Sequence, residues 1–268
     1  MCPNCRAFIT ARDRVCPYCS EPVGPRYTER VPGATALGGL IPQGQYTTFL
    51  ILLINLGLFV ATYLLEERWG DQGQVLYAFG AKFGPSIWRA HEWWRLVTAG
   101  FLHGGFLHIA MNSWVLYGLG AQVEEVFGTP RYLSIYFAGT VCGFWVSAFM
   151  NPGLSIGSSA GITGLLGAMI AYGVANRSSM GKAIRNHYIG WVVQILALGL
   201  FPGFRIDNWA HMGGLAGGFA VAYVAGSPSR STRTEDAVWR AVATGCVLVT
   251  VGCFLQVYLH FPTQDQLR

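Results

Sequence analysis

Gly157-Ser158-Ser159-Ala160-Gly161-Ile162-Thr163-Gly164-Leu165-Leu166-Gly167-Ala168 opens an apolar run that continues to Tyr172. The stretch carries almost no bulk before its two leucines, and serines stand near its head. Small residues let transmembrane helices approach closely, and hydroxyls between such helices commonly act as hydrogen-bonding glue. A second stretch, Asp207-Asn208-Trp209-Ala210-His211-Met212-Gly213-Gly214-Leu215-Ala216-Gly217-Gly218, sets one histidine in another glycine-lined apolar run. A serine and a histidine, each on a close-packing helix, are the two parts of a nucleophile–base pair. Helix glue is the structural alternative.

Composition decides the class. The chain is 52% hydrophobic and 12% charged, about half the charge of an average soluble protein. Several apolar segments reach the ~20 residues that span a bilayer as a helix. An all-α membrane protein is therefore expected. The net charge of +5 does not point to nucleic acid. Its basic residues lie in loops between apolar runs, where membrane topology uses them, and no basic–aromatic nucleic-acid motif accompanies them. No signal-peptide pattern is expected, because the first apolar run starts near Phe49, after a polar, cysteine-rich head.

That head, residues 1–24, holds Cys2, Cys5, Cys16 and Cys19 as two Cys-x-x-Cys pairs. So short a segment cannot build a hydrophobic core. A tetrahedral four-thiolate site can hold it instead, and zinc prefers this ligand set. Two disulfides in an oxidising compartment are the alternative. The zinc reading makes the segment similar to a short zinc ribbon and implies a reducing, cytosolic N-terminus. Residues 25–46, with Pro32, Gly33, Gly38, Gly39, Pro42 and Gly44, read as a flexible linker. Cys142, Cys246 and Cys253 sit singly in apolar runs, as small buried hydrophobes.

Seven apolar spans follow, near 47–65, 106–123, 132–150, 159–175, 187–200, 209–226 and 238–261. Residues 47–226 form a six-span core, and 227–268 a loop and a seventh span. The segment from Glu66 to Gly105 carries Trp69, Trp88, Trp93 and Trp94 among scattered charges. It reads as a structured loop partly embedded at the membrane interface. With the N-terminus inside, twelve of the 18 basic residues fall on the cytosolic side, as the positive-inside rule requires. The C-terminus then lies outside, and the heads of spans four and six share the outer side. Ser159 and His211 accordingly sit at similar depth.

Further polar residues occupy that end. His103, His108 and Asn112 form His-x4-His-x3-Asn. His108 and Asn112 are four apart, on one helix face. They are either a mutually satisfied structural pair or donors for a developing oxyanion; His103 sits nearer the interface. Ser159, at a helix start, feels the positive end of the helix dipole, which favours an oxyanion there. Gly157-x-Ser159-x-Gly161 also fits the nucleophile elbow of soluble hydrolases, but that motif needs a preceding strand and a later acid. The only acid between Ser159 and His211 is Asp207. It reads as the cap of span six; orienting His211 from the same helix face is the alternative.

Taken together, these motifs resemble the rhomboid intramembrane serine proteases. The resemblance rests on Trp94-Arg95, His103-x4-His108-x3-Asn112, Glu124-x3-Gly128, Gly157-x-Ser159 with Gly164-Leu165-Leu166-Gly167-Ala168, and Ala210-His211-x2-Gly214-x3-Gly218. It implies a rhomboid-like six-helix transmembrane bundle, here with one extra C-terminal helix and a zinc ribbon in front. It implies Ser159 as nucleophile and His211 as base, with His108, Asn112 and the Ser159 N–H as oxyanion hole. It further implies transmembrane protein substrates in a lipid bilayer, no cofactor for catalysis, and a multi-pass, prokaryotic cell-membrane protein. Two positions depart from the family pattern. Ala160 stands where glycine usually follows the serine, and Thr163 where an aromatic usually packs on the histidine ring. The Thr163 hydroxyl is expected to bond back to the Ser159 carbonyl, leaving His211 to rest on some other residue, with the aromatics Phe144 and Trp145 of span three as candidates. A catalytically silent relative that escorts membrane proteins is the competing function class.

Overall fold

The computed structural model describes residues 5, 7, 15–20, 45–201, 206–227 and 231–262. The chain divides into two compact units, residues 1–43 and 44–268. In the first unit the described residues are few. They include Cys5, Cys16 and Cys19, whereas Cys2 and nearly all of the expected linker lie outside the described residues.

The second unit is helical throughout its regular structure. It begins with α1 (Tyr46–Trp69), 24 residues long and hence about 36 Å, enough to cross a bilayer. Its faces are inverted relative to a soluble helix. Thr47, Thr48, Asn55 and Thr62 are buried, while Leu50, Leu53, Leu56, Val60 and Leu64 are exposed. Only an apolar surrounding makes that arrangement favourable. The helix ends at Gly70, whose φ of 75° is left-handed and lets its N–H return to the Glu66 carbonyl.

Three short helices, α2 (Gln72–Ala78), α3 (Gly84–Arg89) and α4 (Arg95–Thr98), and a 3-10 turn at Ala99–Phe101 build the long first loop. Arg95 ties it together. Its guanidinium donates to the carbonyls of Tyr77 at 2.7 Å and Ala81 at 3.0 Å. It also lies 3.9 Å over the Tyr77 ring and pairs with Glu92.

Spans two and three, expected as separate helices, form α5 (Phe106–Met150) in two limbs that meet at Gly128. Gly128 has φ 73° and ψ 158°, a conformation open to glycine at little cost. Pro130 follows with no N–H to donate. Residues of both limbs, including Leu116, Leu119 and Val123 from the first and Tyr132, Ile135 and Tyr136 from the second, share one core with Ile162, Leu165 and Leu166. Helix α6 (Ser159–Ala175) is buried along nearly all its length. A Cβ on Gly164 would lie 2.9 Å from the Cα of Gly139, and one on Gly214 would run into the Ala160 carbonyl. Backbones therefore meet directly, as the small-residue stretches predict.

Helix α7 (Ser179–Leu198) starts eight residues before the apolar run that marks it in the sequence. The Ser178 hydroxyl accepts from the Gly181 N–H at 3.1 Å, and a polar first turn and a half follows. Helix α8 (Asn208–Ala225) lies against α5 and α6, and α9 (Arg233–Leu259) opens on a capping box of Thr232 and Glu235. Phe254 of α9 packs edge-on to Phe101, and the following Phe261 to Phe79, so the last helix backs the first loop. By length and composition α1, α5 and α9 can each cross a membrane, and α6 is a shorter apolar helix. The architecture is that of an all-α membrane protein.

Candidate active site at the helix N-termini

Helix order brings the C-terminal end of α1 and the N-termini of α5, α6 and α8 to one end of the bundle. Ser159 is the first residue of α6. The chain enters it through a loop pinned at Gly157, whose φ is 127° and whose N–H donates to the Ala99 carbonyl at 2.9 Å. A Cβ at Gly157 would sit 2.8 Å from His108 Nε2, so glycine is needed for space as well as for conformation. His211 lies in the first turn of α8 and is 5% exposed. Its Nε2 is 2.9 Å from Ser159 Oγ. The two residues, 52 positions apart, thus form one hydrogen bond.

The other imidazole nitrogen of His211, Nδ1, is buried without a hydrogen-bond partner among the described residues. Asp207 does not supply one. It caps α8, accepting from the Ala210 N–H at 3.1 Å, and its other oxygen is taken by Ser147 and Asn151. The ring instead borders a small cavity of about 10 Å3, whose other walls include Thr163, Val192, Ile195, Leu196 and Leu215. This corrects the expectation of an aromatic support. Phe144 packs with Ile87, Leu96, Ala160 and Ala210, Trp145 is half exposed, and neither ring pairs with the His211 imidazole among the described residues. The Thr163 hydroxyl bonds back, but to the Ala160 carbonyl at 2.9 Å rather than to that of Ser159.

His108 and Asn112 stand on the first limb of α5, beside the serine. The Gly104 N–H approaches His108 Nδ1 at 3.5 Å. A backbone N–H can only donate, so this contact suits the tautomer whose ring proton is on Nε2. That nitrogen is the atom facing Gly157, two residues before Ser159. The Asn112 amide donates to the His108 carbonyl at 2.9 Å, which occupies one of its two N–H groups. His103 is more deeply set than its expected interfacial position: it is 2% exposed, and its Nε2 lies 3.3 Å from Ser158 Oγ. Ser158 is thereby engaged away from Ser159.

One group at this end escapes the motif reading. Lys82, fully buried, donates to the carbonyls of Asn151 at 2.6 Å and Gly153 at 2.8 Å. Its Nζ is 3.8 Å from the Asp207 carboxylate. Lys82 and Ser155 also exchange two backbone hydrogen bonds, of 3.0 and 2.9 Å. Burial pushes the Lys82 ammonium down to about 8, against the pull of Asp207. The lysine ties together the first loop, the loop leading into Ser159 and the capped start of α8. Its signal in the sequence is a lone charge in Gly80-Ala81-Lys82-Phe83-Gly84.

In the first unit, Cys5, Cys16 and Cys19 bring their sulfurs within 4.8 Å of one another. The Cys5 and Cys16 sulfurs are 3.6 Å apart, well beyond the ~2.05 Å of a disulfide. Thiolates at ~2.3 Å from a tetrahedral zinc stand ~3.8 Å apart, so the three sulfurs fit that metal.

Comparison with known proteins identifies relatives of the chain. The rhomboid domain profile matches residues 90–228. The chain is 35% identical over 227 residues to the Rhomboid protease GluP of Bacillus subtilis, covering 84% of this chain and 43% of that protein. It is 32% identical over 160 residues to the mitochondrial RHOMBOID-like protein 6 of Arabidopsis thaliana, covering 58% of this chain and 51% of the relative. With Rhomboid-like protease 3 of Toxoplasma gondii it shares 26% identity over 174 residues, 64% of this chain and 66% of that one. The chain thus spans about half the length of the first two of these relatives. The domain match covers more than half of its 268 residues, and the chain belongs to the rhomboid family.

Proposed function

We propose that the chain is an intramembrane serine endopeptidase acting on transmembrane proteins, with Ser159 as nucleophile and His211 as general base. The observation that carries the reading is the 2.9 Å contact between Ser159 Oγ and His211 Nε2, at the N-terminus of a buried helix. A relative named as a rhomboid protease, 35% identical, supports it. In this reading His211 Nε2 takes the hydroxyl proton while Oγ bonds to the carbonyl carbon of the scissile peptide. The negative charge that develops on the carbonyl oxygen meets His108 Nε2–H, the second Asn112 N–H and the Ser159 backbone N–H. His211 then returns its proton to the leaving amine, and water releases the acyl group by the same route. Throughout, the imidazole keeps the Nδ1 proton without an acid partner. The test is cleavage of a reporter transmembrane substrate by purified protein in detergent or proteoliposomes. Wild type cleaves and Ser159→Ala does not; equal behaviour of the two supports the silent escort instead.

The same reading extends to topology and metal. Cys2, Cys5, Cys16 and Cys19 would hold one zinc ion in a closed four-thiolate site that folds the N-terminal segment on the cytosolic side. Four protein ligands leave no position for water, so the metal's contribution is structural. Metal analysis of the full chain should give about one zinc, and fewer after Cys16→Ser.

A further inference from the structure

A cavity of about 170 Å3 opens between the C-terminal end of α1, helix α2 and the start of α5. Its walls are the rings of Phe59, Tyr63 and Phe106, the Glu66 carboxylate, Gln72 and His103. Tyr63 and Phe106 are largely exposed, so the cavity is open to the surface between α1 and α5. At its inner wall, His103 reaches Ser158 Oγ at 3.3 Å and sets its ring 5.1 Å from that of His108. The cavity floor is therefore one residue from Ser159.

Glu66 gives the cavity its character. One carboxylate oxygen accepts from the Gln72 amide at 2.8 Å, and Glu66 has no ion pair among the described residues. A half-buried carboxylate beside aromatic faces favours a cation, through its charge and through the negative faces of the rings. Of the nearby acids, Glu92 is paired with Arg95, Asp71 caps α2 through Gln74 N–H, and Glu67, next to Glu66 on α1, is exposed and outside the cavity lining. No cation of the described chain reaches Glu66, although Lys82 and Arg95 are both committed elsewhere in the same loop.

Resting on the protease reading, we propose that this cavity is a specificity site taking a lysine or arginine side chain of the substrate, within a few residues of the scissile bond. An extended peptide advances about 3.3 Å per residue. In this proposal a long basic side chain on a substrate strand near Ser159 enters past His103 and brings its charge to Glu66, its aliphatic stem lying on the aromatic walls.

The test is a panel of reporter transmembrane substrates in which each of the five residues on either side of the cleavage point is set in turn to Lys, Leu or Glu. At one position wild type should favour Lys over Glu by about tenfold or more in kcat/KM. Glu66→Gln should collapse that ratio, and Glu66→Lys should invert it, at that position alone. Cleavage of the panel with no position preferring a basic residue overturns the proposal while leaving the protease reading standing. A basic preference untouched by either Glu66 variant overturns it as well. Absence of cleavage across the whole panel, in wild type and in Ser159→Ala alike, removes the protease reading and the proposal with it.

Discussion

Two buried polar clusters lie at opposite ends of the first limb of α5, roughly 24 Å apart along the helix. At one end Glu124 is completely partnered. Thr47 and Thr129 donate to it at 2.6 and 2.8 Å, and the Thr48 hydroxyl lies 3.3 Å from its other oxygen. At the other end Ser159, His211, His108 and His103 meet, and Nδ1 of both His211 and His103 has no hydrogen-bond partner among the described residues. A buried polar group left unpaired destabilises the fold, typically by 1–3 kcal/mol. The first cluster fastens α1 to α5. The second tolerates that loss at the place where a reacting group needs open valences, which is where chemistry belongs.

Breaking the second cluster should give the largest effect. Ser159→Ala and His211→Ala should each lower kcat by about 10⁴-fold or more, with the double variant no worse than either, because the two act as one unit. Thermal unfolding in detergent should barely move. Loss of cleavage in Ser158→Ala with retention in Ser159→Ala would reverse the assignment. His108→Ala and Asn112→Ala should follow, at about 10²–10³-fold in kcat with KM little changed. Wild-type rates in both would return these residues to a structural role.

Breaking the first cluster should have the opposite signature. Glu124→Leu removes the acceptor shared by three threonine hydroxyls, of which Thr48 keeps Tyr132 at 3.1 Å, and should cost about 1–3 kcal/mol, read as a lower Tm, while kcat of the folded fraction stays near wild type. A large fall in kcat at unchanged Tm would erase the distinction between the two ends.

The Lys82–Asp207 contact sharpens the comparison, because it is a fastening placed inside the reactive end. Lys82→Met should lower kcat by about tenfold, since it loosens the loop that leads into Ser159. Asp207→Asn, which keeps the cap, should add little on top of it, the two sharing one interaction. Full additivity would mean that the two residues act independently.

The smallest effect concerns the space under His211. Thr163→Phe must fit a phenyl ring where about 10 Å3 is open, and overpacking of this kind typically costs 1–3 kcal/mol. A stable variant with higher turnover would show instead that the histidine lacks support.

Much of this was legible in the chain. Polar residues spaced for one helix face, small residues spaced for close approach and a charge distribution suited to a bilayer point to a helical membrane bundle. They also single out Ser159, His211, His108 and Asn112. The limits of α7 were less legible, because its first turns are polar and its start is set by the Ser178 cap rather than by apolar periodicity. The fusion of two spans at Gly128 was hidden too, since a glycine before a proline reads as an ordinary loop.

What the sequence by itself determined is the set of residue types that can meet: a nucleophile, a base and donors, all within the first turns of helices that glycine allows to touch. Helical periodicity and bilayer physics act locally, so these features show in the order of residues. The tertiary structure alone decided which partners each buried group has. It placed Lys82 against Asp207, set the His211 ring beside a cavity walled by Thr163, Val192, Ile195 and Leu215, and left Glu66 facing a cavity without an ion pair among the described residues. Those outcomes depend on contacts between segments distant in the chain, and no local pattern encodes them, because the free energy of a buried polar group is set by what surrounds it in space.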